Sequence, residues 1–86
     1  MDPLYNNLIE NIKLRLIEGL QKGELIEEQV LALMLIFDQA DTYEELERMV
    51  EKIAQEELSV GRILSIIDFQ SMTDFYKKQL HTITKK

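Results

Sequence analysis

Eight apolar residues in succession, Val30-Leu31-Ala32-Leu33-Met34-Leu35-Ile36-Phe37, interrupt a stretch that is otherwise strongly acidic. At 3.6 residues per turn such a run goes right round a helix and leaves no wet face. It also falls far short of the roughly 20 residues needed to cross a bilayer. The run is therefore expected to form the buried centre of a small helical domain. Its cover must come from its own chain or from a second one, so a homodimer is among the expectations.

With 86 residues the chain is expected to be one domain, 1–86, whose small core leaves stability marginal. It has no cysteine, so neither a disulfide framework nor a thiolate zinc site can support that core, and a cytoplasmic location is expected. The start, Met1-Asp2-Pro3-Leu4-Tyr5, has no basic region leading into an apolar run, and no membrane association is expected. Charge is unevenly spread. Residues 24–57 hold eleven acids against Arg48 and Lys52, while residues 75–86 carry Lys77, Lys78, Lys85 and Lys86 with no acid. An acidic middle repels phosphate backbones and favours basic protein partners; the tail is free to meet an anion.

Three glycines, one proline and a preponderance of helix formers predict an all-α fold, a compact bundle of five short helices at about 3–22, 26–39, 42–57, 60–69 and 72–83. The first starts with Asp2 as N-cap and Pro3 at the first helical position, and stops at Gly23. Its core stripe is Tyr5, Leu8, Ile9, Ile12, Leu16 and Leu20; Leu14 falls on the opposite side, among Asn7, Glu10, Glu18 and Gln21. Asp41-Thr42-Tyr43-Glu44 has the spacing of a capping box and opens the third helix, whose apolar stripe is Tyr43, Leu46, Val50, Ile53 and Ala54. Its wet face carries Glu44, Glu45, Glu47, Arg48, Glu51, Lys52 and Gln55, with Glu44 and Arg48 spaced to pair. In the last third, Val60, Ile63, Leu64 and Ile67 share one face, whereas Met72, Phe75, Tyr76, Leu80 and Ile83 share nearly the opposite one. A single rod cannot bury both, so a break is required. Ser71-Met72-Thr73-Asp74 has the spacing to cap the helix after it.

Chemistry-bearing constellations are few. His81 is the single histidine, and nothing near it in the chain supplies a nucleophile or an orienting carboxylate, so a surface histidine is expected. Gly19, Gly23 and Gly61 are too scattered for a phosphate loop. Asp38, Asp41, Glu44 and Glu45 cluster at a helix junction but lack the alternation and central glycine of a calcium loop. The chain is accordingly expected not to be an enzyme and to hold neither metal nor cofactor.

Two functional readings follow. The first is a small acidic non-catalytic protein–protein interaction module, a regulator, inhibitor, adaptor or assembly factor, touching its partner through Leu14 and the acidic face of Glu44, Glu45, Glu47 and Glu51. The second rests on Ser59-Val60, Ile63-Leu64, Ile67-Asp68-Phe69, Ser71, Thr73 and Phe75, a string that resembles the two-helix core of bacterial helix-turn-helix regulators. That resemblance implies DNA binding through residues 59–86, with Lys77, Lys78, His81, Lys85 and Lys86 toward the duplex. The chain departs from the pattern at Leu64, where a small residue is usual, and at Asp68, where the turn usually has glycine.

Overall fold

The computed structural model describes residues 3–84, the side chains of Leu58 and Thr84 excepted. Its helices are α1 (Pro3–Gln21), α2 (Glu27–Gln39), α3 (Tyr43–Glu56), α4 (Leu58–Ile66) and α5 (Phe69–Thr84), with no strand among the described residues. The all-α architecture and the five helices agree with the sequence pattern, and the first three spans agree to within a residue.

Helix ends show why. Gly23, at φ 77°, takes the left-handed conformation that lets the Glu24 N–H donate to the Gly19 carbonyl at 2.8 Å and closes α1 where expected. The Asp2 cap lies outside the described residues. Ile26, ahead of α2, has no acceptor to offer, and only the reciprocal half of a capping box forms, its N–H donating to Gln29 Oε1 at 3.1 Å. The cap of α3 is Thr42 rather than Asp41: Thr42 Oγ1 accepts from the Glu45 N–H at 3.2 Å. The run Asp41-Thr42-Tyr43-Glu44-Glu45 contains the capping spacing twice, offset by one, and the hydroxyl takes the position.

The break before α5 comes earlier than Ser71. Asp68 stands at φ 57°, its N–H donating to the Ser65 carbonyl at 3.1 Å and its own carbonyl accepting from the Met72 N–H at 3.4 Å. One left-handed residue thus ends α4 and begins α5, giving the change of phase that the two apolar faces require. Ser71–Asp74 therefore lies inside α5 and caps nothing. Thr73 Oγ1 donates to the Gln70 carbonyl, and Asp74 accepts from Gln70 Nε2, both at 3.0 Å.

The core is built on α1, not on α2. Tyr5, Leu8, Ile12 and Leu16 are buried along α1, which packs against α5 on one side and α2 on the other, while α4 packs against α3 and α5. Val30, Leu33 and Phe37 join them from α2, Leu46 from α3, Val60 and Ile63 from α4, and Tyr76 from α5; Ile67 fills the turn. Tyr5 ties two helices by donating its hydroxyl to the Ala40 carbonyl at 2.8 Å. Phe37 stacks on Phe69 at 6.1 Å, and Tyr76 lies between Tyr5 at 6.3 Å, edge on, and Tyr43 at 4.9 Å, stacked. The expected burial of α2 on all sides is overturned: Leu31 is 53% and Leu35 64% exposed, because only one face of the helix meets other helices.

Candidate functional site

The open face of α2 continues onto α1. An ion pair between Lys13 and Asp38 sets the two antiparallel helices side by side. One turn along α1 from Lys13 stands Ile17, 40% exposed, and beside it Leu14, 63% exposed. One turn back along α2 from Asp38 stands Leu35, and another turn back Leu31. Leu14, Ile17, Leu31 and Leu35 thus form one apolar stripe across the seam. Leu14 was legible as an outward leucine from its angle alone; its companions on α2 were not, because an all-apolar run gives no hint which side is left open. At one end of the stripe Glu18 pairs with Lys22 at 2.9 Å, and that hydrogen bond, with the charges of Lys22 and Arg15, holds its carboxyl below the ordinary range.

The acidic residues assigned to the same site stand elsewhere. Glu44, Glu47 and Glu51 are exposed on α3 and Glu45 is half-buried there, so the structure gives Leu14 and the glutamates two separate surfaces. Glu47 is already engaged: it accepts from the Tyr43 hydroxyl at 3.1 Å and pairs with Lys77 at 3.7 Å. Lys77 lies over the Tyr43 ring, 5.6 Å from its centre. Burial raises the Tyr43 hydroxyl pKa, and the hydrogen bond with Tyr43 raises that of the Lys77 ammonium. The Glu44–Arg48 pair is not among the ion pairs of the described residues; the α3 contact that does form runs to α5. Glu47 and Glu51 border a groove of about 470 Å³ between α3 and the α4–α5 corner, floored by Leu46, Val50, Leu64 and Phe69.

Of the cations assigned to the nucleic-acid reading, Lys77 is turned onto α3, while Lys78 and His81 border a shallow surface with Ser71, Asp74, Phe75 and Thr82. Lys85 and Lys86 lie outside the described residues. Asp38 pairs with Lys13, and no group of three or more metal-ligating side chains stands together among the described residues.

One surface was missed by sequence reasoning. Between α2, the end of α3 and the start of α4 runs a groove of about 390 Å³, its walls including Ala32, Ile36, Ile53 and Val60 and its rim Glu28, Glu56 and Glu57. Ile26, 58% exposed, stands at its mouth. The signal available was Glu56 at a helix C-terminus, an end that ordinarily favours cations.

Comparison of the chain with protein-family models, with curated proteins and with solved structures finds no match.

Proposed function

We propose that this chain is a stoichiometric protein-binding module, a regulator, inhibitor, adaptor or assembly factor and not a catalyst, that works in the cytoplasm through the open side of α2. The observation that carries the reading is the stripe Leu14, Ile17, Leu31 and Leu35. Together these side chains leave open about as much apolar surface as two free leucines, ~3–6 kcal/mol if covered. Association costs about 4–15 kcal/mol in lost freedom. One stripe alone therefore sits near the lower bound, and two facing stripes support a reversible homodimer rather than an obligate one. No helix among the described residues is long and apolar enough to cross a membrane.

The test is capture from lysate by tagged wild-type chain and by Leu35→Glu, with nuclease present, alongside sedimentation of both. A protein held in fixed ratio, or a dimer, that is lost in the variant while its melting temperature stays put supports the reading. Association indifferent to Leu35→Glu, or erased by nuclease, overturns it.

A second reading keeps one specific support. Asp68 takes the left-handed turn conformation that glycine usually supplies between the paired helices of a helix-turn-helix unit. On that reading Lys78 and His81 face duplex DNA, and binding weakens steeply with salt. Asp74 on the same surface and Lys77 held by Glu47 weigh against it.

A further inference from the structure

We propose that the groove between α2, the end of α3 and the start of α4 seats a basic amphipathic helix of a partner protein. The proposal rests on the protein-binding reading and adds the chemistry of the partner. Three observations converge on it.

The first is the apolar floor. Ala32 and Ile36 stand one turn apart on α2, and Ile53 and Val60 face them from α3 and α4, with Ile26 open at the mouth. From Ile26 to Ile36 the wall runs roughly 15 Å, about three helical turns, which matches a partner presenting apolar side chains at i, i+3 or i+4, and i+7.

The second is charge. The rim holds Glu28, Glu56 and Glu57 and no cation, and none of the three has an ion-pair partner among the described residues. Glu56 moreover ends α3, whose last turn has no basic residue, so its carboxylate stands at the negative end of a helix dipole, while Glu57 is at once the C-cap of α3 and the N-cap of α4. A lysine or arginine docked there meets both carboxylates. A phosphate-bearing ligand is repelled by the same arrangement.

The third is that the groove's walls are helical. Helix backbones spend their hydrogen bonds internally, so an extended peptide finds no strand edge to join, whereas a helix brings its own bonds satisfied.

The probe is a synthetic helical peptide of about 14 residues with leucines at those spacings and lysines elsewhere, followed by fluorescence anisotropy, against a version with glutamates in place of the lysines. The lysine peptide should bind wild type and the glutamate peptide should not. Glu56→Lys with Glu57→Lys should weaken binding at least about tenfold while keeping the cooperative helical melt, the gain at the end of α3 offsetting the loss at the start of α4. Glu10→Lys with Asp74→Lys makes the same change in net charge away from the groove and should leave affinity within about twofold, short-range pairing outweighing screened net charge.

Equal weakening by both pairs means general attraction of a cation to an acidic protein and overturns the proposal. So does binding of both peptides alike, or of neither. Such a failure leaves association sensitive to Leu35→Glu in place, whereas loss of that sensitivity removes the parent reading, and the two are thereby told apart.

Discussion

Tyr5→Phe isolates one atom whose worth follows from its surroundings. The Tyr5 hydroxyl donates to the Ala40 carbonyl at 2.8 Å, and both residues are buried, so no water takes the place of the lost proton. The ring itself keeps its edge contact with Tyr76, so removing the oxygen deletes the hydrogen bond and leaves a bare carbonyl. A neutral bond with one partner stranded costs about 1–3 kcal/mol. For a domain of this size each kcal/mol moves the melting temperature about 4–8 °C, so Tyr5→Phe should melt at least about 5 °C below wild type.

The pH dependence makes the reasoning sharper. Burial first, then the charges of Glu45 and Asp41, pushes the Tyr5 hydroxyl from 10.0 up to about 12. Between those values the unfolded chain gives up this proton and the folded chain keeps it, so stability falls as pH rises. The contribution is whole below pH 10.0 and is lost as pH passes through about 12. Phenylalanine has no such proton. Urea titrations of both proteins, followed by helical circular dichroism from neutral to strongly alkaline pH, should show the wild type's advantage shrinking across that window. An advantage that is absent at neutral pH, or constant throughout, refutes the assigned bond.

Other perturbations separate neighbouring residues. Thr42→Ala removes the hydroxyl that accepts from the Glu45 N–H and should cost about 1 kcal/mol in urea unfolding, whereas Asp41→Ala, one residue earlier, should change stability by less than half of that. Leu33→Glu puts a carboxylate where the side chain is 4% exposed and should abolish the cooperative helical melt, while Leu35→Glu, two residues on and 64% exposed, should shift it by no more than a few degrees. Asp68→Gly relieves a left-handed conformation at the expense of a freer unfolded chain and should leave the melting temperature equal or higher; Asp68→Val should lower it by at least about 1 kcal/mol in stability.

What was legible in the sequence was local. Gly23 closes α1, the stripe from Tyr5 to Leu16 is the core face of α1, and the clash of phase between Val60–Ile67 and Met72–Ile83 demands a break. Misplaced features share one cause: two positions had nearly equal local claims and the choice between them was tertiary. Asp41 and Thr42 both had the spacing of a cap. Ser71–Asp74 read as a helix start, but a left-handed Asp68 had already supplied the rotation, and no spacing rule announces an aspartate in that conformation. The site divides in the same way. An exposed leucine at position 14 follows from one helix's own angles, whereas a groove needs two helices and the gap between them.

The open face of α2 follows from the number of helices. A helix about 10 Å across is enclosed on every side only by about six neighbours of the same width. The described residues supply four other helices, and those are already gathered round α1 and α4. Whichever helix carried apolar residues on its whole circumference was bound to keep some of them in water, and α2, with 13 residues between two short connections, lies at the edge of the bundle. A polar residue at Leu31 or Leu35 would satisfy that position without disturbing Val30, Leu33 or Phe37. Within the isolated chain Leu31 and Leu35 gain nothing from being apolar, which supports the proposed burial of that face against another copy or a partner protein.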